Sequence, residues 1–330
     1  MGLGGKESMG KLRISRVDRK PEAKGIELYH PTAKFLPTIE LVYQRKVLDT
    51  RHIALLTGDA GVIDTKTKKR RYIATTNRLR KLLDNGYLVR WEAQRPDRFN
   101  PSNNKHLFHF IGKEAVGVLE ANFPYAIAKS DYERVKSRAD AWHDWWISEL
   151  HVRFTLDAKQ RGIPYLPCKD FIQGAVSQTI KEKFPFTQTR WRLAGFTLEK
   201  TGDKEKRLMP DDVFALIPDK THLFLLEVDR DTEDNEHQNP EQASLKRKWE
   251  GYIKVFRERV HTKSYGTDNM RVLVVTSSQR RIENNITIIR EKLGFVEPLF
   301  YFSTFKNTQD TFNILDLRWK VNTGEYRTIP

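Results

Sequence analysis

The stretch that most constrains the fold covers residues 209–233 and reads MPDDVFALIPDKTHLFLLEVDRDTE. It contains two apolar runs rich in β-forming residues, 213–217 and 223–228, and the residues between them include Pro218 and Asp219, which favour a turn. The pattern therefore predicts two adjacent strands joined as a tight hairpin.

Acidic residues lie at one end of this predicted hairpin. Asp211 and Asp212 precede the first strand, and Glu227 and Asp229 close the second. Because side chains alternate along a strand, Glu227 and Asp229 are predicted to project from the same face. Carboxylates brought together repel one another unless a cation or a proton neutralises them, and their oxygens are ligands that Mg²⁺ and Mn²⁺ prefer. The hairpin therefore predicts a site for a divalent metal ion.

The acidic residues after the second strand also have a simpler explanation. Asp229 and the acids that follow it are equally compatible with a solvated loop that pairs with Arg230. This explanation does not extend to Glu227, because an unpaired carboxylate at the end of an apolar strand is costly to bury.

The charge balance indicates a polyanionic partner. The chain has 58 Lys and Arg against 43 Asp and Glu, which gives a net charge of +15. Double-stranded DNA is the first partner to expect, and a basic protein without such a partner is the alternative. A single cysteine, Cys168, excludes an internal disulfide framework and suits a cytoplasmic protein. No apolar run reaches the length of a membrane span, so no membrane partner is expected.

The first part of the chain has the pattern of a DNA-binding domain. Residues 1–34 are rich in Gly, Lys and Arg and predict a flexible basic arm or a solvated tail. In residues 35–125, three helical patterns precede two strand patterns, 87–95 and 106–111. This is the order of a winged helix-turn-helix, which binds DNA or, as the alternative, another protein.

The third helical pattern predicts the helix that reads the major groove. It begins at Thr75, a predicted N-cap, and ends at Gly86, with Leu79, Leu82 and Leu83 toward the core. The residues predicted to face DNA are Thr75, Thr76, Asn77, Arg78, Arg80 and Lys81. Arg98 and Lys105, in the loop between the two strand patterns, are predicted to contact phosphates.

The second part of the chain, residues 130–330, has the pattern of an α/β domain. The hairpin is followed by a helix over residues 243–260, a buried strand at 271–276 and a helix over 282–293. A strand, helix, strand order permits a parallel pair. A strand is also predicted for 298–305 and another for 314–326, and residues 130–162 predict one long helix or two shorter ones.

The motifs of the hairpin resemble those of known families. Pro210 and Asp211, followed after a gap by Glu227, Val228 and Asp229, resemble the metal-binding core of PD-(D/E)XK nucleases. Asp229 stands where those enzymes carry a lysine. The phrase LLEVDRDTE, with LKRKWEGY at 245–252, is similar to the replication-relaxation family of plasmids and mobile elements. The resemblance implies an α+β or α/β protein, a winged helix-turn-helix followed by a restriction-endonuclease-like mixed-sheet domain.

The resemblance also implies roles for particular acids. Asp211 and Glu227 would hold Mg²⁺ or Mn²⁺, and Glu149 on the preceding helix would be a further ligand. An i,i+4 ion pair between Glu149 and Arg153 is the alternative for that residue. His143 matches a histidine of the family, with a capping or core hydrogen bond as its alternative.

The missing lysine leaves two possibilities for catalysis. In the first, Lys246 or Lys248 on the following helix takes over the role of that lysine in orienting water and offsetting negative charge. In the second, both lysines belong to a solvated helix face. In the second case Asp229 is a further ligand or a phosphate-excluding carboxylate, and the site no longer cuts.

Three functions remain compatible with these patterns. The leading hypothesis is a metal-dependent endonuclease or nickase, monomeric or homodimeric, that acts on double-stranded DNA in plasmid replication or mobilisation. The second is a replication initiator or repressor whose nuclease-like domain does not cut, and the third is a toxin or defence nuclease. A tyrosine relaxase of the paired-histidine type is disfavoured, because the chain has no His-apolar-His triplet.

Overall fold

A computed structural model describes residues 31–63, 70–92, 107–123, 127, 132, 138–167, 196–201, 204–230, 245–311 and 313–329. The chain divides into two compact units. The small unit comprises Met1–Arg95 and Asn104–Val118, and the large unit comprises Pro96–Asn103 and Leu119–Pro330. The basic arm predicted for residues 1–34 lies almost entirely outside the described residues.

The small unit alternates short helices with short strands. Its elements, with α4 continuing into the large unit, are α1 (Leu36–Arg45), β1 (Leu48–Asp49), α2 (Thr50–Leu56), β2 (Val62–Ile63), β3 (Arg70–Arg71), α3 (Ile73–Asp84), β4 (Leu88–Glu92), β5 (Leu107–Ile111) and α4 (Ala115–Asn122). Strands β1, β5 and β4 form an antiparallel sheet in that order, and β2 pairs with β3 in a separate antiparallel ribbon.

Local capping explains where the helices of the small unit begin and end. Asp49 caps α2, because its side chain accepts a hydrogen bond from the backbone of His52 at 2.8 Å. Gly86 follows α3 with a φ of 74°, a conformation that favours glycine, so the predicted helix stop is confirmed. Leu79 and Leu82 are buried on the inner side of α3.

The large unit consists of a central sheet and covering helices. Its elements are α5 (Arg138–Gln160), β6 (Tyr165–Pro167), β7 (Phe196–Thr201), β8 (Lys204–Leu208), β9 (Asp212–Leu216), β10 (His222–Val228), α6 (Leu245–Arg257), α7 (Val260–Tyr265), β11 (Met270–Thr276), α8 (Gln279–Thr287) with a π-helical turn (Ile288–Lys292), β12 (Phe300–Thr304), α9 (Phe305–Asp310), a 3₁₀ turn (Ile314–Asp316), β13 (Trp319–Val321) and β14 (Tyr326–Arg327). In the described part of the chain, no helix is long and apolar enough to cross a membrane.

The central sheet has seven strands in the order β14-β13-β12-β11-β10-β9-β6. The predicted hairpin is confirmed as the antiparallel pair β9 and β10, and the predicted parallel pair as β10 and β11, joined through α6. The prediction of one strand over 314–326 was wrong, because a 3₁₀ turn occupies its start and two short strands its remainder. Over the described residues, the fold is a mixed α/β architecture.

Alternating side chains cover the two faces of the sheet with different helices. On one face Leu225 of β10 and Val274 of β11 share a core with Trp249 of α6. On the other face Phe214 of β9 lies against Phe154 of α5, with ring centroids 4.8 Å apart. Side chains at the carboxyl end of β10 are therefore within reach of helices on both sides.

Candidate functional site

The carboxylates of the hairpin meet at one edge of the central sheet. Asp211 directly precedes β9, whose pairing with β10 ends at Asp212 opposite Leu226. The Asp211 amide donates to Leu226 O at 2.9 Å, and the Val228 amide donates to Asp211 Oδ2 at 2.8 Å. The Asp211 carboxylate therefore lies beside the residue that follows Glu227, and its negative charge contributes to raising the pKa of Glu227.

Glu227 is buried and bound by two side chains of α6. Lys248 Nζ lies 2.5 Å from Oε2, and the Tyr252 hydroxyl donates to Oε1. Lys248 and Tyr252 lie one helical turn apart, so both reach the sheet edge from the same side of α6. Burial raises the pKa of Glu227 to about 8, against the opposing charge of Lys248 and with a further contribution from Asp211. The carboxyl group is therefore able to exchange a proton near neutral pH.

Asp211 has a cation of its own, His143 of α5. His143 Nε2 lies 3.2 Å from Asp211 Oδ2. Burial disfavours the imidazolium, but the charges of Asp211 and Asp144 raise the pKa of His143 to about 10. Burial also disfavours the Asp211 carboxylate, but His143 and Lys248 together lower its pKa to about 2. The pair is therefore ionised at neutral pH.

Asp229 lies beyond the end of β10 and is held by α8. Arg281 donates from Nε to Oδ2 at 2.8 Å and from Nη2 to Oδ1 at 3.3 Å. Thr276 donates its hydroxyl to Oδ2 at 3.0 Å. The residue that stands where PD-(D/E)XK nucleases carry lysine is thus an acid neutralised by a fixed guanidinium.

The remaining predicted catalytic residues, Glu149, Lys246 and Lys248, have different surroundings. Glu149 is buried and accepts a hydrogen bond from Arg153 Nε at 2.6 Å, which is the i,i+4 pair that was its alternative. Its role as a metal ligand stays a prediction. Lys246 lies half-buried in the first turn of α6, whereas the ammonium group of Lys248 is placed on Glu227.

The carboxylate pair fits one type of metal site. Within the described ranges, no three His, Cys, Asp or Glu side chains lie close enough together to enclose a metal ion. Mg²⁺ is commonly held by one or two carboxylates, with water and substrate phosphate oxygens as the other ligands. Asp211 and Glu227 would therefore hold a Mg²⁺ or Mn²⁺ ion only together with water or phosphate oxygens, and not in a cage built by protein alone.

The predicted DNA-reading helix differs at its start from the sequence expectation. Helix α3 begins at Ile73, and Thr75 is buried inside it. The hydroxyl and amide of Thr75 donate to Asp59 Oδ2 at 2.8 and 3.0 Å. The prediction that Thr75 caps the helix and faces DNA was therefore wrong, because a carboxylate from the preceding loop takes up both groups.

The remaining residues of α3 divide into exposed and partly covered positions. Arg78 is half-buried, and its Nη1 donates to Thr38 Oγ1 at 3.4 Å. The exposed residues are Thr76, Asn77, Arg80 and Lys81. The predicted phosphate contacts Arg98 and Lys105 lie outside the described residues.

Sequence reasoning missed several partners of the carboxylates. Tyr252 had a local signal, since it follows Lys248 by one helical turn. Arg281 had none, because it lies 52 positions from Asp229 along the chain. Asp212 was grouped with Asp211, but alternation directs it to the other face, where its Oδ2 lies 3.4 Å from His151 Nδ1.

Comparison with known proteins places this site within a described family. A family model named replication-relaxation matches residues 39–269. The matched span includes α3, the β9–β10 hairpin and α6, whereas α8 lies beyond it. No curated protein and no solved structure matches the chain.

Proposed function

Because this chain belongs to the replication-relaxation family, we propose that it acts on DNA in plasmid replication or mobilisation. In this proposal the small unit binds double-stranded DNA, and the large unit cleaves a strand with Mg²⁺ or Mn²⁺. The observation that carries the proposal is the position of Lys248 Nζ, 2.5 Å from Glu227 Oε2 on the strand opposite Asp211. These two acids and the lysine resemble the metal-binding and catalytic set of PD-(D/E)XK nucleases, and here α6 supplies the lysine.

The residues of the large unit suit phosphodiester hydrolysis. A divalent ion held by Asp211 and Glu227 would polarise the phosphate and lower the pKa of a bound water. Lys248 is partly exposed, with 21 % of its side chain open to solvent, and its ammonium group beside Glu227 would offset charge on the phosphate. His143 keeps Asp211 ionised and fixes the orientation of its carboxylate.

The small unit supports the DNA-binding part of the proposal. Its order of α1, β1, α2, β2, β3, α3, β4 and β5, with a three-stranded antiparallel sheet, contains the three helices followed by two strands that we expect of a winged helix-turn-helix. Helix α3 then enters the major groove with Thr76, Asn77, Arg80 and Lys81, all of which are exposed. The net charge of +15 favours association with the phosphate backbone.

A second function, that of a non-catalytic initiator or repressor, is favoured by the ion pairs of the site. Three of the four hairpin acids have a basic partner within the chain: His143 for Asp211, Lys248 for Glu227 and Arg281 for Asp229. The acidic cluster is thus neutralised without a metal ion. In this function the large unit would serve as a platform for binding DNA or for dimerisation.

Plasmid cleavage tests the catalytic proposal. Purified full-length protein is incubated with supercoiled plasmid and Mg²⁺ or Mn²⁺, and Glu227→Gln is compared with wild type. The matched control is Glu291→Gln, which removes an exposed carboxylate from the π-helical turn before β12. The proposal expects wild type and the control to produce open-circle or linear DNA and Glu227→Gln to produce neither.

Calorimetry with Mn²⁺ separates the two functions. The catalytic proposal expects one binding event that Asp211→Asn and Glu227→Gln each abolish. If wild-type protein binds DNA but shows no heat with Mn²⁺ and no plasmid cleavage, the large unit is a non-catalytic platform and the nuclease proposal fails.

A further inference from the structure

A short ribbon between α2 and α3 has no part in the function proposed above. Strand β2 pairs with β3 so that Val62 lies opposite Arg71 and Ile63 opposite Arg70. All four residues are exposed. Because side chains alternate along each strand, each face of the ribbon carries one branched apolar side chain and one arginine.

The apolar side chains of this segment are unusually open to solvent. Val62 is 62 % exposed and Ile63 57 %, and Ile73, the first residue of α3, is 56 % exposed. They are three of the five large apolar side chains that are exposed among the described residues. Single exposed apolar residues are ordinary, but on each face of this ribbon the exposed apolar side chain lies opposite an exposed arginine, a combination that suits a binding surface.

The base of the ribbon is tied to α3 by one carboxylate. Asp59 Oδ1 accepts from the Gly61 amide at 3.0 Å, and Oδ2 accepts both hydrogen bonds of Thr75. Gly61 has a φ of 68°, and a Cβ atom there would lie only 2.8 Å from Tyr72 Cδ1. The ribbon is therefore held close to the start of the helix that is proposed to read DNA.

We propose that the β2–β3 ribbon is a second DNA-contacting element beside α3. Arg70 and Arg71 contact the phosphate backbone, and Val62 or Ile63 contacts sugars and base edges. DNA-binding ribbons and arms combine arginines, which contact phosphates, with apolar side chains, which contact the groove. The inference rests on the proposed DNA-binding function and commits to duplex DNA as the partner, since two exposed arginines complement phosphates.

The salt dependence of DNA binding tests this inference. Full-length protein is titrated into a fluorescently labelled duplex of mixed sequence over a series of KCl concentrations. The charged variant is Arg70→Gln with Arg71→Gln, and the apolar variant is Val62→Ser with Ile63→Ser. The matched control is Lys263→Gln with Lys292→Gln, which removes two exposed charges from α7 and the π-helical turn of the large unit.

The charged and the apolar ribbon variants are expected to weaken DNA binding in different ways, one through its salt dependence and the other through its affinity alone. Each lost phosphate contact lowers the slope of log affinity against log salt by about 0.9, so the charged variant loses about 1.8. The apolar variant weakens binding about tenfold with an unchanged slope, because it loses buried apolar surface and no charge. The control retains the wild-type affinity and slope, and thermal unfolding of all variants stays near that of wild type.

Other outcomes overturn the inference in distinguishable ways. If Arg80→Gln with Lys81→Gln weakens DNA binding but both ribbon variants match the control, the ribbon inference is wrong and the proposed function stands. If the apolar variant changes only the mass measured by light scattering, the ribbon is a protein interface and not a DNA contact. If wild-type protein binds no duplex, both the inference and the DNA-binding function fail.

Discussion

The small and large units each bury an ionisable side chain, and the two side chains reach the neutral state in opposite ways. His109 of β5 is 2 % exposed, and burial lowers its pKa to about 4 against the opposing charge of Asp49. Glu227 is also 2 % exposed, and burial raises its pKa to about 8. Burial thus removes a proton from the histidine and retains one on the acid.

The partners of the two groups show which one is suited to chemistry. His109 Nε2 lies 3.1 Å from Thr50 Oγ1, a contact that needs no charge, and Arg90 of the neighbouring strand opposes protonation. Glu227 has a lysine, a tyrosine and a second carboxylate around it. Glu227 therefore has both a cation and a second carboxylate beside it, whereas His109 has a hydroxyl as its hydrogen-bond partner and the opposing charges of Asp49 and Arg90 around it. Of the two buried groups, Glu227 is the one whose surroundings suit the proposed exchange of a proton or the lysine for a metal ion.

The largest effect is expected on plasmid cleavage, from replacing Lys248, the lysine that contacts Glu227 in the large unit. Lys248→Met should lower the rate of metal-dependent plasmid cleavage about a hundredfold, because it removes the ammonium group that lies on Glu227. His109→Gln provides the comparison in the small unit and should leave the cleavage rate unchanged. Equal losses in the two variants would show that general destabilisation, and not the position of Lys248, controls the rate.

The next effect is a loss of stability of the large unit as pH rises from about 4.5 to about 8. An acid whose folded pKa is raised binds its proton more tightly when folded, so stability falls as pH rises from the ordinary 4.5 towards about 8. The slope is at most about 1.4 kcal/mol per pH unit. Hydrogen exchange of β10 amides in metal-free buffer measures this slope, and Glu227→Gln should flatten it. An unchanged slope in that variant would assign the loss of stability to His143, whose pKa is raised from 6.5 to about 10.

The small unit should show the opposite and narrower dependence. A histidine whose folded pKa is lowered to about 4 must release its proton to fold, so stability falls as pH falls from 6.5 towards 4. The protection factors of β5 amides against hydrogen exchange should therefore fall on acidification, and His109→Gln should remove this fall. If β5 and β10 respond to pH in the same direction, the contrast between the two buried groups is not real.

The smallest effect concerns the ribbon of the small unit. Asp59→Ala removes two hydrogen bonds from Thr75 at the start of α3 and one from Gly61 before β2, and it should cost about 1–2 kcal/mol of stability in the small unit. Hydrogen exchange of α3 amides measures the loss, while exchange in β10 should not change. Asp59→Asn keeps an acceptor oxygen and should cost less than the alanine variant.

Much of the fold was predictable because its signals are local. The β9–β10 hairpin followed from two apolar runs and the turn residues between them, and the parallel strand β11 followed from its position after α6. Thr75 was misassigned because its partner, Asp59, lies 16 positions away along the chain. A threonine before a helical pattern is usually a cap, and only a tertiary contact makes it a buried donor.

The sequence by itself determined the elements of this protein, its positive charge and the end of the hairpin at which Asp211 and Glu227 lie. Periodicity, turn residues and strand alternation are properties of neighbouring residues, so they are readable before folding. Only the tertiary structure decided that Lys248 and Tyr252 bind Glu227, that His143 binds Asp211 from 68 positions away, and that Arg281 binds Asp229. A buried acid requires some partner, but which cation reaches it depends on how helices pack on the sheet.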